Sequence, residues 1–589
     1  MAWSRGAERL GPLGLLAAVL AAVPLLGGDF LAYQVGLYLL YGMVAQGIAL
    51  VWGRCGFLPL GQALFFGLGA YGAGLVLKGT ASNGGWWLAL PLAALLPAAL
   101  AWGLARVLFA RRFENGPYFS LITLALAMLG FQIANQWSSV SGGFNGLGGI
   151  PELPGLDRYS SMYWPIAVAC LASTALIAWL ERTPLGTLWR AVADNENRLQ
   201  FFGFATDRLK ALAFGLSGLL GGLAGLLYAP HQGLVTPQTT SFQLSAELVV
   251  WTAVGGRGSP YGALLGAVGI GLLSATLRQH FAYWEVGVAL VFIAVVLRYP
   301  GGLVAALQAL ARPWRPGSRA ALPGVTAAPT PAPALRVAAG DAALEFDAVV
   351  VRQRGVTILD GLSLRLDTRG VHGLIGPNGA GKTSSFNALT SRLPLAAGDI
   401  RWGGRSLAGL TADAVARLGI GRKFQIPSVF PTLSVADHLR IALWAQRATG
   451  ADLLRARTHG WTTPTLQALQ AELPFLVSAQ RRAAGELSQG QRQMLELAMT
   501  ILPEPRLMLL DEPCAGLSTQ ETAQQLQVIA RAVARLSNTA LLIEHDMAAV
   551  QALATRVHVM HQGRLLASGT LAAVQADPAV RQVYAGGHK

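Results

Sequence analysis

Eight consecutive residues, Gly376-Pro377-Asn378-Gly379-Ala380-Gly381-Lys382-Thr383, fit the pattern G-x-x-x-x-G-K-[ST] at every position. Glycines let a backbone curl until successive N–H groups point inward at a phosphate, and a helix opening at the lysine adds its positive end. In that arrangement Lys382 reaches the outer phosphates and the Thr383 hydroxyl coordinates Mg2+. Further along, the apolar run 506–510 ends in Asp511-Glu512. An acidic residue that closes a strand beside a phosphate loop holds Mg2+, and the neighbouring carboxylate can orient or deprotonate an attacking water. The chemistry these residues describe is Mg2+-assisted hydrolysis of a nucleotide phosphoanhydride.

Such a loop needs a strand before it and a helix after it. The run 371–375 supplies the strand, and 343–351 and 362–366 also pattern as strands, so 342–589 reads as an α/β P-loop NTPase domain. Before it, 312–341 is rich in Pro and Ala and has no apolar periodicity, which suits an extended linker. The remainder, 1–311, is different in kind. The chain of 589 residues is 53% hydrophobic and only 13% charged, against roughly 25% charged in soluble domains. Long apolar stretches fall at about 10–27, 30–52, 56–77, 86–109, 117–137, 161–180, 209–228, 244–255, 261–277 and 283–298. The eighth is too short to span with certainty. The expectation is therefore an α-helical polytopic membrane domain of about 8–10 transmembrane helices, embedded in a lipid bilayer, followed by the NTPase domain.

Arg5 and Arg9 precede the first apolar run as in a signal peptide, but no small-x-small cleavage site follows at 24–28, so the run is read as a retained helix. With the N-terminus inside, the inner segments hold Arg5, Arg9, Arg54, Arg106, Arg111, Arg112, Arg182, Arg190, Arg198, Arg208, Lys210, Arg257 and Arg298. The outer segments hold only Lys78, Arg158 and Arg278. That bias follows the positive-inside rule and leaves the NTPase domain in the cytoplasm, at the inner (plasma) membrane. It also accounts for part of the net charge of +15 without nucleic acid as a partner. The cysteines Cys55, Cys170 and Cys514 are far apart and show neither metal spacing nor a disulfide framework.

The segment Leu487-Ser488-Gln489-Gly490-Gln491 resembles the signature of ATP-binding cassette (ABC) proteins, in which Leu-Ser-Gly-Gly-Gln is usual. The resemblance implies that Ser488, Gln489, Gly490 and Gln491 act in trans, on the nucleotide of an opposite cassette, and that the ATP-binding set runs from Gly376 through Ser384. It identifies Gln425 with the glutamine loop that touches Mg2+ and water, and His545 with the switch histidine at the γ-phosphate, catalytic together with Glu512. Thr383, Gln425 and Asp511 form the implied metal set. Two departures stand out. Gln353 replaces the aromatic that usually stacks on adenine, and Ser518 replaces the usual Asp of the loop after Glu512.

The membrane half resembles permeases of the branched-chain amino acid and urea/amide importer family. The likeness is carried by Gly61-Gln62-Ala63-Leu64-Phe65-Phe66-Gly67, Gly116-Pro117-Tyr118-Phe119-Ser120, Thr183-Pro184-Leu185-Gly186 and Gly221-Gly222-Leu223-Ala224-Gly225. Within it, the polar block 181–210, helical around 188–202, looks like the coupling helix of such permeases, with Arg190 and Glu196 as its coupling residues. Glycines spaced by about four in 67–74 and 215–225 permit close helix approach. The resemblance implies a fused permease/ATPase subunit of an importer. Its partners are a second permease and second cassette, or a second copy, and an extracytoplasmic solute-binding protein. Details such as His561-Gln562-Gly563 lean toward urea or short amides, with branched-chain amino acids nearly level. An ABC exporter half-transporter and a membrane-anchored regulatory ATPase are the alternatives.

Overall fold

The computed structural model describes residues 2–80, 86–110, 117–280, 283–299, 301–311, 326–329, 344–366 and 369–585. Arg111 and Arg112 lie outside them, as does most of the expected linker. The chain separates into two compact units, one of Met1–Ala193 with Asp207–Ala320, the other of Asp194–Thr206 with Ala321–Lys589.

The first unit is helical. Among the described residues six helices are long and apolar enough to cross a membrane, Gly11–Arg54, Leu90–Phe109, Pro117–Gln136, Tyr163–Glu181, Thr206–Gln232 and Pro260–His280. Two stretches expected as separate spans, 10–27 and 30–52, are parted where expected, by a kink at Gly28 (φ 66°) inside Ala2–Ile48, and the second tightens into a π-helical turn at Ala49–Arg54. The short eighth stretch is the 14-residue helix Phe242–Gly255. The glycine-rich stretches meet each other. A Cβ at Gly69 would collide with the carbonyl oxygen of Gly222, and one at Gly225 with that of Phe66, so only glycine permits these backbone approaches. Some polar groups inside are paired, as an apolar surrounding favours, whereas both polar atoms of the buried Gln62 amide have no hydrogen-bond partner among the described residues. Gln46 donates to Thr174 Oγ1 at 2.7 Å and accepts from Ser173 Oγ at 2.7 Å. Leu92, Leu95, Leu96, Leu121 and Leu129 are exposed, as lipid-facing side chains would be.

The second unit is built on a six-stranded sheet. Its spatial order is Arg564–Gly569, Arg556–His561, Gly370–Ile375, Thr539–Ile543, Leu507–Asp511 and Ile420–Lys423, with all neighbours parallel except the first pair. Leu507–Asp511 and Thr539–Ile543 are buried at every residue, which explains their unbroken apolar runs. A second, antiparallel sheet comprises Val356–Leu366, Leu344–Gln353, Ala397–Trp402 and Arg405–Ser406. Part of the linker region is ordered against this unit: Thr326–Ala327 pairs in parallel with Trp461–Thr462. Four adjacent parallel strands end along one edge of the main sheet, and the loops after them are where the candidate residues stand.

Candidate nucleotide site

The strand Gly370–Ile375 ends at the loop and the helix Lys382–Leu389 begins after it. Gly376, Gly379 and Gly381 have φ of 153°, 81° and 97°, values that favour glycine, and a Cβ at Gly376 would collide with the carbonyl oxygen of Met560. Pro377, Asn378 and Ala380 complete the curl, and Ser384 sits in the first turn of the helix. Lys382 folds back into the loop, donating to the carbonyl oxygens of Gly376 at 2.7 Å and Pro377 at 3.0 Å. Burial holds its ammonium below the ordinary lysine range, against the opposing pull of Glu512 and Asp511.

Two strands away, Asp511 closes Leu507–Asp511. Thr383 Oγ1 donates to Asp511 Oδ1 at 3.3 Å, and Arg422 Nη2 lies 3.4 Å from Asp511 Oδ2. Burial raises the Asp511 carboxyl above its usual range, with Arg422 opposing. Glu512 is gripped at both oxygens. Gln425 Nε2 donates to Oε2 at 2.8 Å, and His545 Nε2–H donates to Oε1 at 2.8 Å. Its backbone sits at φ 43°, in the left-handed region, fixed by a 2.9 Å bond from its N–H to Ile543 O. The structure thus brings together the phosphate loop, Gln425, Asp511, Glu512 and His545. A curled loop of inward N–H groups with a lysine in it suits a polyphosphate. The hard oxygen donors of Thr383, Asp511 and Gln425 suit Mg2+.

Ser488 and Gln491 are turned to each other instead. Ser488 caps the helix Gln489–Ile501 in a capping box, with Gln491 N donating to Ser488 Oγ and Ser488 N to Gln491 Oε1, both at 3.2 Å. Gln489 stands where a Gly516 Cβ would come within 2.9 Å of its amide, and a Cβ at Gly490 would collide with the Glu521 carboxylate. That carboxylate belongs to a second capping box, in which Ser518 N donates to Glu521 Oε2 at 3.0 Å and Glu521 N donates to Ser518 Oγ at 3.4 Å, while Ser518 Oγ also donates to Glu521 Oε2 at 2.8 Å. Ser518 therefore serves as a helix cap in this chain. Gln353, at the end of its strand, is exposed, and nearby Val356 is 65% exposed.

Several residues of this unit carry no motif that marks them in the sequence. Glu544 accepts from the backbone N–H of Cys514 at 3.0 Å and of His545 at 3.2 Å, joining the two loops that flank Glu512. Arg198, 1% exposed at its side chain, lies 3.6 Å from Glu496, which is itself fully buried. Of the two residues expected to couple, Glu196 belongs to the same compact unit as the cassette and Arg190 to the membrane unit. Arg190 makes a long 3.5 Å contact to Thr187 in its own helix, and Glu196 accepts from Thr206 at 2.7 Å. The signal available in the sequence was the adjacent cations Arg422-Lys423 at the end of a strand, since cations buried there need anionic partners.

Residues 30–297 match the family described as "Branched-chain amino acid transport system / permease component", and residues 359–515 match "ABC transporter". Over 248 residues the chain is 34% identical to the high-affinity branched-chain amino acid transport ATP-binding protein LivG of Salmonella typhimurium, covering 41% of this chain and 97% of that protein. It is 33% identical, with the same coverage, to the corresponding protein BraF of Pseudomonas aeruginosa. A crystal structure of a nucleotide-free ATP-binding cassette from an ABC transporter is 25% identical, covering 41% of this chain and 99% of that one, with a TM-score of 0.36. The cassette is an ATPase domain on the cytoplasmic side of a multi-pass membrane protein. The chain belongs to the branched-chain amino acid ABC transporter family, with permease component and ATP-hydrolysing cassette carried on one polypeptide.

Proposed function

We propose that this chain is one subunit of an importer that uses ATP to take up branched-chain and other apolar amino acids, delivered by an extracytoplasmic solute-binding protein. Residues 1–311 serve as the permease, 312–341 as the tether and 342–589 as the motor. Bound Mg2+·ATP supplies the phosphoanhydride and the cation that screens it. The 376–381 backbone and Lys382 bind the phosphate oxygens, and Thr383, Asp511 and Gln425 hold the cation through oxygen. Glu512 takes the proton of the attacking water, oriented for this by Gln425 and His545. Ser488, Gln489, Gly490 and Gln491 face the nucleotide of a companion cassette, beside a companion permease.

The observation that carries the motor half of this reading is the double grip on Glu512. Import of amino acids is supported by the names of the relatives and of the permease family. The test is reconstitution with companion subunits in liposomes. Radiolabelled leucine should accumulate only with ATP and an added binding protein. Accumulation of urea in its place would overturn the amino acid assignment, and ATP-driven transport indifferent to any binding protein would overturn import.

A further inference from the structure

The helix Pro184–Gln200 is broken at Asn195 (φ −159°, ψ 82°), and the residues beyond the break belong to the cassette's own compact unit. Asp194 accepts from the Thr432 backbone N–H at 2.8 Å, and Asn195 Nδ2 donates to Ser428 Oγ at 3.0 Å. The first is a surface contact and the second is half-buried. Arg198 goes inside. Its Nη1 donates to the backbone carbonyl of Arg422 at 2.6 Å, its Nη2 donates to Thr500 Oγ1 at 3.2 Å, and its guanidinium lies 5.6 Å from the Phe424 ring centroid.

From Arg198 two short paths reach the two carboxylates of the nucleotide site. One runs along Arg422, whose backbone Arg198 holds and whose Nη2 reaches Asp511. The other runs through Glu496, which accepts from the Phe424 N–H at 3.2 Å and lies 3.9 Å from Lys423 Nζ. Lys423 Nζ donates in turn to Gln493 Oε1, and Gln493 reaches the carbonyl of Gln425 at 3.5 Å. Gln425 is the side chain that grips Glu512. Each intermediate is buried and charged or amide-bearing, so moving one forces its neighbours to find new partners.

We infer that Arg198 is a positioning residue. Seated between Glu496 and the Arg422 backbone, it sets the placement of Asp511 and of the glutamine loop, and through them metal binding at the nucleotide site. This rests on Asp511 being a metal-side carboxylate.

The experiment uses the full chain with its companion subunits and Mn2+ as a spectroscopic stand-in for Mg2+. Mn2+ affinity in the presence of ATP is read by electron paramagnetic resonance. Arg198→Met should weaken Mn2+ about tenfold, the lower end of what loss of an outer-shell support costs a metal site. ATP affinity in chelator should be unchanged, and Arg198→Lys should recover part of the loss. Because Arg198→Met leaves Glu496 short of a partner, the double variant Arg198→Met/Glu496→Gln removes the stranded charge and should restore the melting temperature. Weak Mn2+ binding that persists in the restored double variant supports the inference. Wild-type Mn2+ affinity in the double variant overturns it, since Arg198 would then matter only for folding. A wild-type chain that binds ATP but no Mn2+ would overturn the underlying metal assignment together with it.

Discussion

Glu512 holds a backbone conformation that non-glycine residues adopt at a cost of roughly 1–3 kcal/mol. Its N–H bonds Ile543 and its two oxygens are held separately, so the surroundings over-determine the turn. Asp511, one residue earlier, is regular strand but carries an electrostatic cost, because burial and the Glu512 charge favour its protonated form. In the proposed metal-holding role of Asp511, a proton therefore competes with the metal at a higher pH than at a free aspartate. As pH falls through this raised pKa, metal binding should fail, so the acid limb of Mg2+-dependent ATP hydrolysis should lie above the ordinary aspartate value of 3.8. Raising Mg2+ should move that limb to lower pH. A limb at the ordinary value, unmoved by Mg2+, would show that another group governs it. The phosphate loop was legible because its chemistry is contiguous. Arg198 was not: its bond to Thr500 joins residues 302 positions apart, and a single arginine in a polar helix gives no local sign that it is buried.

Among the elements, strands were the most readable. The apolar runs ending at 375, 510 and 543 are internal to a parallel sheet, and burial on both faces removes the alternation seen in half-exposed strands. Helices of the membrane half were harder to divide. Hydropathy marks apolar length but not how sharply a chain turns, so the break expected between 27 and 30 is there, as a kink at the single residue Gly28. Capping geometry was invisible at Ser518, whose partner Glu521 is plain only once the helix Thr519–Leu536 is known. That cap makes Gly490 sensitive, because a methyl group there strikes the carboxylate that Ser518 holds. Gly490→Ala should destabilise the solubilised chain by about 1 kcal/mol, the usual worth of an N-cap. Ser518→Ala should cost a similar amount. Thermal melts of the double variant should show the two losses failing to add, since both break one cap. Additive losses would mean that Glu521 yields to the new methyl without leaving Ser518.

At the scale of the whole molecule, composition and order were enough to read a membrane-spanning half followed by an α/β motor, because bilayer and water select different residues. Assembly was less legible, since in the proposed reading the signature residues serve a nucleotide held by another chain. Lys382, Asp511 and Glu512 converge within this cassette, while Ser488 and Gln491 bond each other. Gln489 and Ser518 depart from the family pattern at positions proposed to act across a cassette pair. In a symmetric pair both sites would carry those departures, whereas a different companion can supply the usual residues to one of them. The expected partner is therefore a related cassette. Ser488→Arg damages the signature that this chain lends, and Glu512→Gln damages the site it keeps. With the companion present, each variant should retain about half of the ATP hydrolysis, because one of two sites survives. Mixed with each other without the companion, the two variants should hydrolyse nothing. If this chain instead pairs with itself, mixed pairs would unite an intact Glu512 with an intact Ser488, and about a quarter of the sites would work. Recovery to that level in the companion-free mixture would identify a second copy as the partner.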